Sequence, residues 1–535
     1  MRLAVGTLCA LSVALVPTGI TSHAASSCEG VTSLAPPHTT MTAAASVAAG
    51  AFRTSPGEAG GTPAFGTLPA FCRVQGVIAP SADSHIEFEV WLPAAGWNGK
   101  YQGAGNGGFA GDINYSNMAS ALRSGYATSS TDTGHKAAPT DAQWAYGHPE
   151  KIVDYGYRAI HETAEVSKAV IRTFYGEGAR HSYFSSCSNG GREALMEAQR
   201  YPADYDGIIA GAPAANFTRI TGSFAWNLLA TAVDPASYIP SRKFAAVEAA
   251  AVAACDARDG VADGILDEPG TCGFDPAPLL CRGPESDACL TAPQLAALKK
   301  IYAGPRTSKG EPLYPGFMPG GESGPGGWPL WIAGGSADKS LQYAFSTQAN
   351  AYMIFQNPAY DYRTFDMDRD VKAADDLVGR TLNAIDPNLG AFQKRGGKLI
   401  LYHGWSDAAL APAATVDYFR SVAAKMGLKE TDRFVRLYMV PGMQHCGGGP
   451  GADNFGAAPG LAPPEPDPSR NMSAALERWV EQDVPPAELI ATKYKTRNPG
   501  SGVALTRRLC PYPKVAQYKG SGDRADAANF VCANR

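Results

Sequence analysis

The sequence has no excess of basic side chains. It holds 46 Lys and Arg against 50 Asp and Glu, a formal net charge of −4. Nucleic-acid-binding domains are usually basic, so we expect no nucleic acid among the partners of this chain. It also has no long apolar run beyond the N-terminus, so we expect no membrane-spanning helix and no membrane partner for the mature chain. Apolar residues still make up 45% of the chain, enough for a large core.

The apolar run at residues 8–16 is typical of a signal peptide. Arg2 precedes it, Pro17 ends it, and the small-x-small pattern of a cleavage site follows at 22–24. The alternative is an ordinary N-terminal helix. We expect residues 1–24 to be a signal peptide and the mature protein to be secreted, either extracellular or periplasmic.

The cysteines lack the spacing of a thiolate zinc site, since no two of them are separated by two residues. Of the 11 cysteines, Cys9 falls in the predicted signal peptide, which leaves an even number in the mature chain. An even number in an exported protein predicts disulfide bonds, with a metal cluster as the alternative.

Strand and helix patterns alternate on both sides of a central segment. The alternation predicts an α/β fold with a mostly parallel sheet, built from residues 25–215 and 391–535. Residues 25–80 are predicted to be an irregular lead-in. Residues 216–390, rich in Gly and Pro, show no such alternation and are predicted to be an inserted cap. The predicted strands are 85–92, 182–185, 206–211, 398–403 and 433–440, and the predicted helices are 155–174, 191–201, 411–425 and 472–481.

Ser188 lies in a tight turn between the strand at 182–185 and the helix that follows. A nucleophile elbow needs small neighbours so that the strained turn can lift a hydroxyl above the sheet, and the helix N-terminus favours negative charge there. The usual G-x-S-x-G pattern would place Gly where this chain has Ser186. A Gly-rich turn before an ordinary helix is the alternative.

Asp407 and His445 each follow a predicted strand. Taken singly, Asp407 could be a helix cap and His445 a surface-loop residue. Together with Ser188 they follow the order Ser, Asp, His of α/β-hydrolases. In this hypothesis His445 takes the proton of Ser188, and Asp407 holds the imidazole and stabilises its charged form.

Two cysteines stand next to these residues, Cys187 before Ser188 and Cys446 after His445. A disulfide bond between them would hold their Cα atoms roughly 5.5–6 Å apart and fix the histidine loop against the elbow. A metal site formed by the two cysteines and His445 is possible, but it leaves the elbow unexplained.

An oxyanion hole needs two backbone N–H donors. The residue after the nucleophile, Asn189, should supply one, and Gly107 or Gly108 in the early glycine-rich loop should supply the other. A phosphate-binding function for residues 103–111 is the alternative, but the loop lacks the Lys-Ser/Thr of a P-loop.

An acidic segment after Cys255 has carboxylates three or four residues apart and glycines for turns. Such oxygen-rich loops suit Ca²⁺, although the spacing is not that of an EF-hand. An acidic surface loop is the alternative, and nothing places the segment near Ser188, so we expect a structural ion. The expected ligands are the side chains of Asp256, Asp259 and Asp263 and the backbone carbonyls of Val261 and Ile265.

These motifs resemble those of the tannase and feruloyl esterase family of serine esterases. The resemblance extends from about Cys28 to Cys532, and Ser186 departs from it, since members often have Gly there. The motifs that carry it are Cys187-Ser188, Asp407, His445-Cys446, the loops at 105–111 and 130–135, the acidic segment after Cys255, and residues 509–513.

The resemblance implies an α/β-hydrolase fold with a lid at 216–390 and structural Ca²⁺ in that lid. It also implies a small aromatic ester as substrate, such as one from plant cell walls or polyphenols: a feruloyl or other hydroxycinnamoyl ester, with gallate esters and mono(2-hydroxyethyl) terephthalate as alternatives. The disulfide pairs that it implies are Cys187–Cys446, Cys255–Cys272, Cys281–Cys289, Cys510–Cys532 and Cys28–Cys72.

Lid aromatics are the candidates for stacking on the acyl group, although aromatics at such spacing also form cores. The main candidates are Trp328, Trp331, Phe345 and Tyr352. A terephthalate monoester would need a cation for its free carboxylate, and near these aromatics only Lys339 and Arg363 are basic. A non-catalytic module that binds carbohydrate or polyphenol is a further alternative, and the sequence does not predict an oligomeric state.

Overall fold

The computed structural model describes residues 26–54, 65–457, 466–496 and 498–534, and the predicted signal peptide lies outside them. The strands are β1 (Thr39–Val47), β2 (Phe71–Ile78), β3 (Ile86–Pro93), β4 (Lys100–Gly103), β5 (Ala127–Thr131), β6 (His181–Cys187), β7 (Gly207–Gly211), β8 (Lys398–Gly404), β9 (Val435–Val440), β10 (Leu489–Tyr494), β11 (Val503–Leu509), β12 (Val515–Tyr518) and β13 (Phe530–Ala533).

The α-helices are α1 (Tyr115–Arg123), α2 (Pro149–Val153), α3 (Ala159–Tyr175), α4 (Asn189–Arg200), α5 (Phe217–Thr231), α6 (Phe244–Cys255), α7 (Ala292–Ala303), α8 (Leu341–Gln348), α9 (Asp370–Leu382), α10 (Gly390–Lys394), α11 (Ala413–Met426), α12 (Leu428–Thr431) and α13 (Met472–Gln482). A π turn over Asp154–Arg158 joins α2 to α3. No helix in these described ranges is long and apolar enough to span a bilayer.

Nine strands form one sheet in the order β1-β2-β3-β5-β4-β6-β7-β8-β9. The strands from β5 to β9 pair in parallel, and β1, β2 and β3 pair antiparallel with their neighbours. The sheet therefore confirms the predicted mostly parallel arrangement. Because the parallel strands point the same way, the carboxyl ends of β6, β8 and β9 lie at the same end of the sheet. Ligand-binding and active sites of α/β proteins usually form at that end.

Helices cover both faces of this sheet, and the buried strands are apolar on both sides for that reason. On β7, Ile208 belongs to the core with α3, α4 and α11, and Ile209 belongs to the core with α1 and α13. The same alternation places Leu399 and Ile400 of β8 on opposite faces.

The prediction of an irregular lead-in at 25–80 is wrong, because β1 and β2 form there and pair with each other and with β3. Strand β1 has mostly small side chains and pairs through its backbone at the sheet edge, so it carries little hydrophobic alternation. Strand β5 was also not among the predicted strands.

The chain between β7 and β8 contains the helices α5 to α10, joined by long irregular segments. All of it is described, and it adds no strand to the nine-stranded sheet. This agrees with a cap inserted between two strands, and the boundaries at 216 and 390 stay predictions. Below, "lid" means residues 216–390.

Candidate active site

Ser188 stands between the last residue of β6 and the first residue of α4, with φ 67° and ψ −126°. A positive φ is strained for a residue with a side chain and is typical of functional turns. Its N–H donates to the Gly211 carbonyl at 3.0 Å, and its carbonyl accepts from the N–H of Ala214 at 3.1 Å. These bonds hold the strained turn against β7.

Two glycines make this turn possible. A Cβ on Gly190 would lie 1.9 Å from Oγ of Ser186, and a Cβ on Gly191 would lie 2.4 Å from the Gly211 carbonyl oxygen. Ser186, which departs from the usual Gly, therefore fits because Gly190 leaves room for its hydroxyl.

The side chains of Ser188, His445 and Asp407 form one hydrogen-bonded chain. Nε2 of His445 lies 2.9 Å from Oγ of Ser188, and Nδ1 of His445 lies 2.7 Å from Oδ2 of Asp407. Oδ1 of Asp407 accepts the backbone N–H groups of Ala409 at 2.7 Å and Leu410 at 2.9 Å. Three residues from the ends of three parallel strands thus meet as the order along the chain predicted.

Asp407 is ionised in this setting. Burial alone would raise its pKa, but the charge of His445 and the hydrogen bonds from His403 and His445 hold the pKa of Asp407 well below its usual range. A buried carboxylate beside Nδ1 fixes the tautomer that leaves Nε2 free to accept a proton.

The Cys187–Cys446 disulfide bond joins the end of β6 to the loop of His445, with Cα atoms 6.0 Å apart. The same loop is held by Asp453, whose Oδ2 accepts the N–H of Gly448 at 2.7 Å. All five implied disulfide pairs are present, and they exclude the cysteine metal cluster.

A buried polar network lies behind the turn. Glu193 accepts the backbone N–H of Asn106 and the side-chain amide of Asn189, both at 2.9 Å. Nε of Arg192 donates to Oδ1 of Asn189 at 2.8 Å. Burial raises the pKa of Glu193 to about 7, against the lowering effect of the Arg192 charge. The network ties the glycine-rich loop to the start of α4.

Two neighbouring cavities, which share several wall residues, lie at Ser188. The inner pocket, of about 50 Å³, is mostly apolar, whereas the outer cleft, of about 590 Å³, has more polar walls. Ser188, His445, Gly108, Trp331 and Phe345 line both of them. The inner pocket is also lined by Phe109, Tyr155, Asn189, Ala214, Phe217, Ile220, Thr221, Phe224, Ala409 and Leu410.

Comparison with known proteins now identifies the family, because the family model described as "Tannase and feruloyl esterase" matches residues 72–533. The chain belongs to the tannase and feruloyl esterase family. As a member it is a carboxylic ester hydrolase, and its mixed sheet is that of the α/β-hydrolase fold. The expectations of fold and family are therefore confirmed.

Three similar proteins set the context for this esterase. An uncharacterized esterase of Xanthomonas campestris is 41% identical over 100% of this chain and 95% of its own length. The mono(2-hydroxyethyl) terephthalate hydrolase of Piscinibacter sakaiensis is 36% identical over 87% of this chain and 85% of its own. The crystal structure of feruloyl esterase B from Aspergillus oryzae superimposes with a TM-score of 0.87 at 30% identity, covering 95% of this chain and 99% of that one.

The lid aromatics of this esterase divide into two groups. Trp331 and Phe345 stack on each other, with ring centroids 5.9 Å apart, and the Trp331 ring stands edge-on to His445 at 5.2 Å. Trp328 is 1% exposed and packs inside the lid, and Tyr352 lies beside Tyr146. Neither lines the two cavities at Ser188, which corrects their assignment as substrate-binding residues; the reason is that they pack against other aromatics instead.

The residues expected at the oxyanion hole lie beside Ser188. Asn189 is the first residue of α4, so its N–H has no partner within the helix. Gly108 lines both cavities with φ 56°, and a Cβ there would lie 2.3 Å from the Pro139 carbonyl oxygen. Gly107 lines only the outer cleft of the two.

Sequence reasoning did not single out several residues of this site. Phe109, Phe217 and Phe224 line the inner pocket, but their sequence pattern is that of ordinary core residues. His403 also contacts Asp407, with Nε2 3.1 Å from Oδ2 of Asp407. The spacing of four residues between them was the available signal.

The acidic loop after Cys255 folds through its own carboxylates. Asp256 accepts the N–H of Gly264 at 2.9 Å, Asp259 accepts the N–H of Asp267 at 3.1 Å, and Asp263 pairs with Arg507. Within the described ranges, no group of three or more His, Cys, Asp or Glu side chains is placed to hold a metal ion.

Two features of this loop nevertheless suit a cation. Oδ1 of Asp256 is buried without a hydrogen-bond partner among the described residues. Burial, and then the charges of Asp263 and Asp256, raise the pKa of Asp259. The side chains alone do not form the predicted site, so Ca²⁺ would need backbone carbonyls such as those of Val261 and Ile265 as well.

Proposed function

We propose that this esterase hydrolyses aromatic, hydroxycinnamoyl-type esters through Ser188, His445 and Asp407. The observation that carries the proposal is the unbroken chain of hydrogen bonds from Ser188 Oγ to the buried Asp407 carboxylate. The strained backbone at Ser188 and the Cys187–Cys446 disulfide bond, which joins the Ser188 turn to the His445 loop, support the same function.

The first step forms an acyl-enzyme. Oγ of Ser188 attacks the ester carbonyl carbon while its proton passes to Nε2 of His445. The C–O bond to the alcohol then breaks, and His445 gives that proton to the departing oxygen. Asp407 keeps the imidazole in place and stabilises its charge.

The second step releases the acid. Water gives a proton to His445 and adds to the acyl carbon, and the bond to Ser188 breaks as Oγ recovers the proton. In both steps the carbonyl oxygen becomes negative, and the N–H groups of Asn189 and Gly108 are the donors we assign to it.

The lining of the inner pocket favours an acyl group with an aromatic ring and few polar substituents. Its exposed wall is mostly apolar, Phe, Trp, Ile and Leu supply seven of its fifteen lining residues, and His445 is the one side chain with a titratable nitrogen among its described residues. The carboxylate of a terephthalate monoester would lose hydration without gaining a cationic partner there, and the three hydroxyls of a galloyl group would have few polar partners beyond Tyr155, Asn189 and Thr221. Neither Lys339 nor Arg363 lines the pocket.

The test is hydrolysis of methyl ferulate, methyl gallate and mono(2-hydroxyethyl) terephthalate. We expect the highest kcat/KM for methyl ferulate. We expect Ser188→Ala to lower kcat by roughly 10⁴-fold or more, whereas Ser421→Ala, a half-buried serine on α11, should change nothing. Folded protein that turns over none of the three esters and resists a fluorophosphonate label at Ser188 would instead indicate a binding module.

Secretion is part of the proposal. Five disulfide bonds support an oxidising compartment, either extracellular or periplasmic. Fractionation of the native host should place the protein outside the cytoplasm with residues 1–24 absent from its N-terminus; full-length protein in the cytoplasm would refute this part.

We also propose that the loop at 256–267 holds Ca²⁺ as a structural ion of the lid. The ion would offset the burial and the neighbouring carboxylate charges that raise the pKa of Asp259, and it would supply a partner for Asp256. Elemental analysis should find calcium in the purified protein, and a chelator should lower its Tm. The Asp256→Asn variant should bind less calcium. Absence of metal together with a Tm that ignores chelation would exclude the ion.

A further inference from the structure

His403 occupies a special position at the end of β8. Its side chain is 1% exposed and lies between helix α11 and the triad. Its Nδ1 is 2.7 Å from Oγ1 of Thr415, and its Nε2 is 3.1 Å from Oδ2 of Asp407. The same Oδ2 lies 2.7 Å from Nδ1 of His445. One carboxylate oxygen therefore contacts two imidazoles.

We propose that His403 is a positioning residue that fixes the Asp407 carboxylate and limits how strongly it stabilises the imidazolium of His445. This inference rests on the proposed function, because it assigns a role within the same triad.

The protonation of His403 follows from its partners. An ionised carboxylate can only accept hydrogen bonds, so Nε2 of His403 must carry a hydrogen. The hydroxyl of Thr415 can then donate to the bare Nδ1, which satisfies both ring nitrogens of a neutral imidazole.

The position of the carboxylate is set from four sides. The backbone N–H groups of Ala409 and Leu410 hold Oδ1, and the two imidazoles hold Oδ2. Without His403, the Oδ2 end would be fixed by His445 alone, which is the residue that must move its proton during catalysis. A displaced carboxylate would let the His445 ring turn away from Ser188, and orientation of this kind dominates catalytic rates.

His403 also shares the charge of the carboxylate. A hydrogen bond donated to Oδ2 draws electron density from the oxygen that His445 contacts, so loss of that bond should strengthen the interaction with the charged form of His445. His445 would then hold its proton to higher pH. Activity needs neutral His445, so the acid limb of the pH profile should move to higher pH.

The other groups around this carboxylate do not interfere. Tyr314 is a further ionisable group, whose pKa responds to the charge of Asp407, and the charge of Asp417 acts on the same tyrosine. Burial, and then the charges of Asp407 and Asp417, raise the pKa of Tyr314, so it stays a neutral phenol in the working range. Ser188 and Trp331 face His445 from the other side and carry no charge.

Two conservative variants separate the two bonds of His403. In His403→Gln the amide nitrogen can take the place of Nε2 and still donate to Asp407, whereas in His403→Asn it can take the place of Nδ1 and reach Thr415 only. We expect His403→Asn to lower kcat for methyl ferulate about 10-fold or more, which corresponds to an activation free energy higher by about 1.4 kcal/mol. We expect KM to stay within twofold. We expect the acid limb of its kcat/KM profile to move up by about half a pH unit or more.

His403→Gln should recover most of kcat and return the acid limb to its original position. His161→Gln, which replaces a half-buried histidine that is also bonded to an aspartate, Asp204, should leave both unchanged. Thr415→Val should move the limb in the same direction as His403→Asn but less, since it removes the donor to Nδ1. This variant tests the proposal even where a change at His403 prevents folding.

Two results would overturn the inference. The first is a lower kcat and Tm in His403→Asn with an unmoved acid limb, which is what a purely structural residue would give. The second is an equal loss in the Asn and Gln variants. Failure of the proposed function looks different, because the unaltered enzyme would then neither hydrolyse methyl ferulate nor take a fluorophosphonate label at Ser188.

Discussion

At the residue scale, the turn at Ser188 depends on how two small residues share space. Oγ of Ser186 occupies the volume that a Cβ on Gly190 would need, 1.9 Å away, and the Asn106 carbonyl oxygen lies 3.0 Å from the same point. Only one of the two positions can therefore carry a side chain. This chain has Ser186 with Gly190, and the usual Gly at position 186 would be the other arrangement that avoids the clash.

Gly190→Ala should consequently destabilise the enzyme and lower its activity. We expect a loss of about 2–3 kcal/mol in the free energy of unfolding, in the range for overpacking of a tight site. Ser186→Gly alone should cost less than 1 kcal/mol, roughly the effect of an added glycine in a strand.

A double-mutant cycle by urea unfolding checks this prediction. Adding Ser186→Gly to Gly190→Ala should recover at least about half of the loss, because only the contact with the Asn106 carbonyl then remains. If the two changes are additive, the contact between these positions does not limit the turn.

At the element scale, the Cys187–Cys446 bond links β6 to the loop that follows β9. Its cysteines are 259 residues apart, and each adjoins a residue of the proposed triad. The Cys510–Cys532 bond joins residues only 22 apart, beside the hairpin of β12 and β13. The first bond therefore fixes the His445 loop against the Ser188 turn, whereas the second fixes the C-terminal hairpin. Each of them also constrains the unfolded chain.

Replacing each pair by serine should separate stability from activity. We expect each loss to cost about 2–5 kcal/mol of stability. We expect only Cys187→Ser with Cys446→Ser to lower kcat, by about 10-fold or more, since His445 would lose its tether to the elbow. Assay at a temperature where all variants are folded, with Tm by calorimetry, gives both values. Equal activity in the two double variants would show that Asp453 and the surrounding packing suffice to hold the loop.

Sequence patterns predicted best the strands that are buried on both faces along their whole length. Strands β6 to β9 are flanked by helices on both faces, so their apolar runs and the turns after them are visible in the sequence. Strand β1 was missed because its small side chains pair by backbone contacts with β2. The position of Asp407 was predictable from its strand, but the contact of His403 with Thr415 depends on how α11 packs, which no local pattern records.

At the scale of the whole molecule, the inner pocket exists only where the lid meets the sheet. Ser188, His445 and Gly108 come from the sheet side, and Phe217, Trp331, Phe345 and others come from the lid. Acyl selectivity should therefore be a property of the lid, while the proposed catalytic residues lie on the sheet side of the pocket. This division also explains why Trp328 and Trp331 could not be told apart by spacing, since tertiary packing alone decides which of them reaches the pocket.

Trp331→Ala should accordingly change which esters are cleaved more than how fast any ester is cleaved. The ring stacks on Phe345 and stands against His445, so its loss removes a wall that an aromatic acyl group would contact. We expect kcat/KM for methyl ferulate to fall about 10- to 100-fold, the value of one large aromatic contact. For p-nitrophenyl acetate, whose acyl group is too small to reach that wall, we expect less than about a threefold change by the same reasoning.

Trp328→Phe is the matched control, because Trp328 packs among Phe244, Tyr302 and Phe317 inside the lid. It should lower Tm and leave the ratio of the two kcat/KM values unchanged, since a smaller ring loosens the lid core without altering the pocket wall. A fall of equal size for both esters in Trp331→Ala would mean that the ring acts on His445 rather than on the acyl group. The division of selectivity and chemistry between lid and sheet would then be wrong.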